Sequence, residues 1–136
     1  MKPWIWLRIA SVLITLCAAG HTFGHLSSSD ASPEEKAVTA AKRSFHFDLI
    51  GAQHTIWDVY AGLSLFMIVS LVLLAVLMWQ LSDLARSFPS QVRPMVWALV
   101  VAQFLISLLC LTNFFFVPSL LSTAATFCLL MAAIGL

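Results

Sequence analysis

Charged residues are scarce in this sequence. Only 10% of the 136 residues are Asp, Glu, Lys or Arg, whereas 61% are apolar, and the formal net charge is +1. Soluble domains carry about a quarter charged residues, so the composition excludes an ordinary soluble domain and indicates an integral membrane protein. A net charge this small supplies no basic field, which excludes nucleic acid as a partner.

Several motifs with known chemistry are also missing. The cysteines Cys17, Cys110 and Cys128 lie in apolar runs without a CxxC pair, which excludes the motif of thiol-oxidising four-helix membrane enzymes and indicates small buried side chains. No ionisable residue lies near the middle of an apolar run, which argues against a proton-driven pump or a channel with a charged filter. The runs also lack the clustered carboxylates of membrane-embedded isomerases.

Long apolar runs dominate the sequence instead. A membrane-spanning helix needs about 20 mainly apolar residues, and four stretches qualify. They are roughly residues 4–24, 57–81, 95–116 and 119–136. They predict an all-α integral membrane protein, with residues 1–136 forming a single up-down-up-down four-helix transmembrane bundle. The first stretch also resembles a secretory signal with a candidate cleavage site at Ala18-Ala19-Gly20. Because the chain includes Met1, we interpret it as a retained anchor.

Basic residues predict the orientation of the bundle. Lys2 and Arg8 flank the first run, and Arg86 and Arg93 lie between the second and third runs. Lysine and arginine in short flanking segments are enriched on the cytoplasmic side. We therefore expect both termini in the cytoplasm and the loop over residues 26–56 outside it. Three basic residues in that loop reduce the asymmetry: Lys36, Lys42 and Arg43.

A short amphipathic extracytoplasmic helix is predicted within this loop, over residues 33–50. Ser32 can cap its first turn, Pro33 suits its first position, and Glu35 completes a capping box. Gly51 is the expected stop. The apolar positions recur every four residues, at Ala37, Ala41, Phe45 and Leu49. This pattern predicts a lid that lies on the membrane surface or over the end of the bundle.

The remaining connections and polar residues predict how the helices pack. Residues 81–94 indicate a polar turn broken by two prolines, and residues 116–119 indicate a tight hairpin that makes the last two helices antiparallel. Gln103 lies near the middle of the third run and should point into the bundle, because an amide in hydrocarbon needs a partner. Gly20 and Gly24 form a small-xxx-small surface, interpreted as close packing within the fold rather than a dimer contact.

Histidines gather at the outer ends of the first two runs. Cys17, His21 and His25 follow one helical stripe, and His54 and Asp58 lie four residues apart. If the stripes face each other, three imidazoles and a carboxylate converge. Such a set suits a transition metal, and a haem between His54 and His21 or His25 would use the same positions. The metal site at His21, His25, His54 and Asp58 is therefore a hypothesis.

A structural interpretation explains much of the same pattern. Histidine at a membrane interface can reach water or headgroups. Asp58 follows Thr55 by three residues, where it completes a capping box at the positive end of a helix. Trp57 and Tyr60 beside it fit an interfacial aromatic belt. We therefore favour structural roles over ligand roles for these residues.

Two segments, "GHTFGH" and "WDVYAGLSLF", carry a resemblance. At these segments the chain resembles a group of small, uncharacterised bacterial four-helix inner-membrane proteins, which pair a histidine at the end of the first span with an aromatic-rich start to the second. The resemblance implies a bacterial inner-membrane location and the four-helix layout. It carries over no activity and no catalytic residue.

Three functions remain open from the sequence. The first is a scaffold or accessory subunit of a membrane assembly, with the lipid bilayer and other membrane subunits as partners. The second is a metal- or haem-binding membrane protein that uses the outer histidines. The third is a binder or enzyme for a lipid or another apolar small molecule, with His54 and Asp58 as an acid–base pair. We rank the accessory subunit first.

Overall fold

The computed structural model describes residues 1–27 and 32–136, and most of these residues are helical. The elements are α1 (Pro3–Leu26), α2 (Pro33–Ser44), β1 (His46–Leu49), β2 (Ala52–Thr55), α3 (Ile56–Ser87), α4 (Pro89–Asn113) and α5 (Phe116–Gly135). Among the described helices, four are long and apolar enough to cross a membrane, namely α1, α3, α4 and α5. The four apolar runs thus correctly predict the main helices. Residues 28–31 of the expected outer loop lie outside the described residues.

The chain divides into two compact units. The first unit contains Met1–Gly20 and Ser70–Leu136, and the second contains His21–Val69. Helices α1 and α3 are each divided between the two units, α1 after Gly20 and α3 after Val69. The first unit therefore holds α4, α5 and the remaining parts of α1 and α3, whereas the second holds α2 and the β-strands.

Small and aliphatic side chains form the core of the first unit. Its fully buried members come from α1, α3, α4 and α5: Leu7, Ala10, Ile14, Met78, Val92, Val96, Ala125, Leu129, Ala132 and Ala133. The alanines let neighbouring backbones approach closely, which favours dispersion contacts between helices. Trp6 packs against this core and contacts Phe127 edge to face, with ring centroids 6.0 Å apart.

Hydroxyl groups connect the later part of α4 with the earlier part of α5. Three contacts define the pairing: Ser119 Oγ to the Cys110 carbonyl at 2.8 Å, Ser107 Oγ to Ser122 Oγ at 2.9 Å, and Thr126 Oγ1 to the Gln103 carbonyl at 3.2 Å. Residue numbers fall along α4 as they rise along α5. The two helices therefore run antiparallel, as the sequence predicts.

Gln103 is buried in the interface between these two helices. Its side chain is 1% exposed, and its Nε2 donates a hydrogen bond to Ser122 Oγ at 2.9 Å. The prediction that Gln103 points inward is confirmed. Its Oε1 has no hydrogen-bond partner among the described residues. The side-chain amide thus donates one hydrogen bond between the helices, while its buried oxygen accepts none among the described residues.

The helix connections are shorter than predicted. Helix α3 continues to Ser87 and α4 begins at Pro89, so Phe88 alone separates them and the predicted polar turn over residues 81–94 is wrong. Pro89 is tolerated at the first position of α4, because a backbone N–H there would have no intrahelical partner. Pro94 lies inside α4 near its start. The turn between α4 and α5 lies at residues 114–115, ahead of the predicted 116–119.

The start of α2 follows the predicted capping box. The Glu35 backbone N–H donates to Ser32 Oγ at 3.1 Å, and the Ser32 backbone N–H donates to Glu35 Oε2 at 3.1 Å. Pro33 occupies the first helical turn. Hydrogen bonds from the Glu34 backbone N–H and the Ser32 side chain lower the pKa of the Glu34 carboxyl. The sequence therefore located the beginning of α2 correctly.

The predicted end of this helix is wrong, because residues 46–55 form an antiparallel β-hairpin. Helix α2 ends at Ser44, and β1 pairs with β2 so that Phe47 lies opposite His54. The turn has positive φ angles at Ile50 (53°) and Gly51 (84°), as in the tight turns that connect twisted strands. The Asp48 carboxylate accepts a hydrogen bond from the Gly51 N–H at 2.7 Å. The Asp48 hydrogen bond and the positive φ of Gly51 favour a turn here, although the apolar residues are spaced as in a helix.

We expect Ser122→Ala to lower the free energy of unfolding by about 1 kcal/mol, because it leaves the Gln103 amide without its donor bond in a buried site. Gln103→Leu should cost less, because it removes the donor and the unbonded Oε1 together. Unfolding in detergent micelles, followed by circular dichroism, measures both changes. The exposed Ser87→Ala serves as the control, and a larger cost for Gln103→Leu than for Ser122→Ala would contradict this account.

Candidate functional site

The most distinctive polar cluster of the second unit joins α1 to α3 through one hydroxyl group. His21 Nε2 lies 3.0 Å from Ser64 Oγ, and His25 Nδ1 lies 2.9 Å from the same oxygen. The two histidines are four residues apart on α1, so they share a face of the helix. Ser64 is 8% exposed, and both imidazoles are partly exposed. We call these three residues the His–Ser–His cluster.

The single hydroxyl proton limits how this cluster is hydrogen-bonded. A serine hydroxyl carries one proton and two acceptor lone pairs, so it donates to at most one imidazole nitrogen. At least one imidazole must therefore donate its own N–H to the hydroxyl oxygen. Ser64 thus links the hydrogen bonds of His21 and His25, because both rings share one oxygen.

The other two predicted ligands have different surroundings. His54 lies in β2 opposite Phe47. Asp58 caps α3: its Oδ2 accepts hydrogen bonds from the Thr55 N–H at 2.8 Å and the Thr55 hydroxyl at 2.7 Å, and its own N–H donates to Thr55 Oγ1 at 3.1 Å. The predicted capping role of Asp58 is confirmed. The structure thus brings His21 and His25 together, while Asp58 bonds to its own helix start.

Metal-binding groups are few at this site. Within residues 1–27 and 32–136, no set of three or more His, Cys, Asp or Glu side chains is close enough to hold a metal ion. The His–Ser–His cluster supplies two imidazole nitrogens and a hydroxyl oxygen, whereas zinc sites in proteins use three or four nitrogen, sulfur or carboxylate ligands. Binding of a transition metal or haem by His21, His25, His54 and Asp58 stays a prediction.

Sequence reasoning did not identify Ser64. Its signal is weak, because serine is common in spanning helices and bonds to its own helix as readily as to another. One indication was available, since Ser64 and Ser70 are the only hydroxyl residues in the apolar run over residues 61–78. Spacing on α1 alone locates the two imidazoles but does not reveal the residue that they share.

Cation–aromatic contacts connect the end of α2 with the start of α3. The Arg43 guanidinium lies 4.4 Å from the Trp57 ring centre, and the Lys42 ammonium lies 5.4 Å from the Tyr60 ring centre. The Trp57 and Tyr60 rings are 5.8 Å apart. Such contacts contribute about 0.5–1 kcal/mol each at exposed sites. The aromatic residues predicted to form an interfacial belt therefore also hold the basic end of α2.

Apolar side chains gather at the hairpin of the second unit, where Phe45 is exposed and Phe47 is half-buried. The Phe45 and Phe47 rings stack with their centres 6.4 Å apart, and Ile50 is fully exposed at the hairpin turn. Helix α2 of the same unit has no buried residue. We call Phe45, Phe47 and Ile50 the hairpin patch. It lies outside the four helices that are long enough to cross a membrane.

The two glycines of α1 face open space. A Cβ atom added to Gly20 or Gly24 would meet no described atom within 4 Å. The close packing within the fold that the small-xxx-small pattern predicts is therefore not found among the described residues.

Comparisons with known proteins identify no relative. No protein-family model, curated protein or solved structure matches the chain.

We expect Ser64→Ala to change the imidazole ¹⁵N chemical shifts of His21 and His25, because both rings lose their shared partner. The shifts of His46 and His54 should stay unchanged and serve as internal references. The measurement uses protein labelled with ¹⁵N-histidine in detergent micelles, beside the exposed Ser87→Ala as the matched variant. Identical spectra for wild type and Ser64→Ala would show that the hydroxyl does not couple the two rings.

Proposed function

We propose that this chain is a small multi-pass membrane protein that acts as an accessory subunit of a membrane protein assembly. Four apolar helices of spanning length support its location in a bilayer. Their outer faces also support it, since large apolar side chains such as Leu63, Phe66 and Leu109 are exposed. Lipid tails can cover such faces without cost, whereas water cannot.

The proposed topology is up-down-up-down, with both termini in the cytoplasm and α2 with the hairpin outside. In the first unit, Arg8 near the start of α1 pairs with Asp83 near the end of α3 at 2.8 Å. This contact supports a common end for the basic residues that flank these helices. Arg86 and the α3–α4 connection lie at that same end of α3. The bacterial inner membrane is proposed from the resemblance of the sequence alone.

The observation that carries the accessory role is Ile50 at the tip of the hairpin. Ile50 is fully exposed and has a φ of 53°. Positive φ is unfavourable for a β-branched residue and costs about 1–3 kcal/mol, and this turn position strongly prefers Asn or Asp. Isoleucine at this position is unfavourable both for the turn conformation and for exposure to water. Burial of its side chain against a partner would compensate for both costs.

The chemistry of the hairpin favours a protein partner over the membrane surface. Its two strands and their turn carry one formally charged side chain, Asp48, directly beside the tip. A carboxylate is repelled by the anionic lipids that attract amphipathic surface elements. Phe45 and Phe47 add stacked aromatic surface near the same strand, and aromatic residues are enriched at the centres of protein interfaces. The proposed contact is therefore an apolar pocket on a neighbouring membrane subunit.

We expect Gln53→Cys to react with a membrane-impermeant maleimide in intact cells, because β2 lies outside in the proposed topology. Ser87→Cys, at the end of α3, should react only after the membrane is permeabilised. A parent chain with Cys17, Cys110 and Cys128 changed to alanine provides the background. Labelling of Ser87→Cys in intact cells and protection of Gln53→Cys would reverse the proposed orientation.

We expect Ile50→Asn to stabilise the hairpin turn but to weaken partner binding about tenfold or more, because burial of an isoleucine contributes about 1.5–3 kcal/mol. A photo-crosslinking residue at position 50 first identifies the neighbouring subunit in native membranes. Binding of wild type and Ile50→Asn to that purified subunit is then compared.

Gln53→Asn is the matched control for this test, since it lies on the same hairpin and is exposed. It should bind like wild type. Crosslinks from position 50 to lipid alone, or equal affinities for Ile50→Asn and wild type, would refute the proposed contact.

A further inference from the structure

A cluster of charged and aromatic residues joins the start of α1 to the end of α3 in the first unit. Arg8 Nη2 lies 2.8 Å from Asp83 Oδ1, and Arg8 Nε donates to Ser82 Oγ at 3.3 Å. The guanidinium of Arg8 also lies 4.7 Å from the Trp79 ring centre and 5.2 Å from the Trp4 ring centre. Arg8 is therefore held in place from several sides.

A second arginine belongs to the same cluster. The Arg86 guanidinium lies 3.9 Å from the Trp4 ring centre, and its Nε lies 4.0 Å from Asp83 Oδ1. One carboxylate thus faces two guanidinium groups, so the cluster retains a positive charge. In the sequence of the first unit, Asp83 is the only acidic side chain, against Lys2, Arg8, Arg86 and Arg93. This end of the unit is strongly cationic.

An apolar groove between α1 and α3 begins at the same cluster. It has a volume of about 290 Å³ and is lined by Ser11, Thr15, Val72, Ala75, Val76 and Trp79. Two small residues meet within it, where Ser11 Oγ donates to the Ala75 carbonyl at 2.7 Å. Trp79 belongs to both features, since it lines the groove and stacks on Arg8.

We propose that the cluster and the groove together bind one anionic phospholipid. The phosphate lies against Arg8 and Arg86, and the first part of an acyl chain lies in the groove. The arginine cluster and the groove together extend along α1 from Arg8 to Thr15, a distance of seven residues or about 10 Å at ~1.5 Å per residue. A phospholipid presents the same sequence of groups, a phosphate followed by a hydrocarbon chain. This inference rests on the proposed location of the chain in a membrane.

The size and charge of the site favour lipid over a protein helix as its occupant. A helix with its side chains is about 10–12 Å wide, whereas the groove lies between two neighbouring helices and offers only about 290 Å³. Arginine binds phosphate with charge-assisted hydrogen bonds, and basic pockets between membrane helices accommodate anionic headgroups. A zwitterionic headgroup adds an ammonium group, which the two guanidinium groups repel. The site should therefore distinguish phosphatidylglycerol from phosphatidylcholine.

Native mass spectrometry of the delipidated, detergent-solubilised full chain tests this proposal. The chain is titrated with dioleoyl phosphatidylglycerol and, separately, with dioleoyl phosphatidylcholine, and the apparent dissociation constant of the first bound lipid is measured. We expect at least fivefold tighter binding of phosphatidylglycerol. Equal affinities would overturn the proposal, as would displacement of the lipid by millimolar inorganic phosphate, which would indicate an anion site without a chain groove.

Matched variants separate the headgroup contact from general charge. Arg86→Gln should weaken phosphatidylglycerol binding at least fivefold, whereas Arg93→Gln, which removes an equal charge from an exposed position on α4, should change it less than twofold. Asp83→Asn should tighten binding, because it removes the carboxylate that competes with phosphate for both guanidinium groups. Equal losses in Arg86→Gln and Arg93→Gln, or weaker binding in folded Asp83→Asn, would overturn the headgroup assignment.

A second pair of variants tests the groove. Val76→Phe fills the groove and should weaken binding at least fivefold, whereas Val101→Phe places the same ring on an exposed part of α4 and should have no effect. Equal binding by Val76→Phe and wild type would exclude the acyl chain from the groove. Circular dichroism verifies that each variant is folded. Lipid binding is measured in detergent, so a negative result would not bear on the proposed topology or on the proposed partner contact. Conversely, negative results in the labelling and crosslinking experiments would not bear on lipid selectivity.

Discussion

Serine hydroxyl groups that bridge helices are the interaction on which the other features of this structure depend. Lipid tails are as apolar as leucine, so spanning helices gain little from burying apolar surface against each other and rely on close packing and hydrogen bonds. Ser11 bonds to the backbone of α3, and Ser122 bonds to Gln103 and Ser107. Each serine is small enough to bring two helices together and polar enough to hold them.

The same chemistry has a different result at each position. Between α4 and α5 the hydroxyl groups connect neutral groups, and the interface is fixed by the geometry of several bonds. At Ser64 the hydroxyl connects two imidazoles, which share its oxygen as a hydrogen-bond partner. Between α1 and α3 the small Ser11 and Ala75 leave a groove beside Trp79. One packing rule thus produces a hydrogen-bonded interface, a histidine cluster and an apolar groove.

The sequence was most informative where a single physical cause dominates. Apolar run length predicted the four long helices, and hydrogen-bonding side chains at helix starts predicted the capping boxes at Ser32 and Thr55. The orientation of Gln103 followed from the cost of an unpaired amide in an apolar interior. Each of these inferences needs only local sequence or the solvation of one group.

The sequence was less informative where two causes compete or where partners are distant. Phe45 and Leu49 fit a helical period, but Asp48 and Gly51 favour a turn, and the hairpin prevails. Pro89 suggested a break although it suits the first position of α4. Ser64 and the groove beside Trp79 depend on contacts between residues far apart in sequence, and no local pattern reveals them. The same limit applies to His54, whose surroundings follow from the unexpected hairpin.

The length of α3 has a consequence for the proposed location of the chain in a membrane. At 32 residues it is about 48 Å long, whereas α5, at 20 residues, is about 30 Å long. A hydrocarbon layer is about 30 Å thick, so α5 matches it and α3 exceeds it. Hydrophobic mismatch of this kind is relieved by tilting the longer helix or by leaving its ends in the headgroup layer. In a bilayer, membrane thickness would therefore set how much of α3 extends beyond the lipid, and a thicker membrane would cover residues that a thinner one leaves accessible.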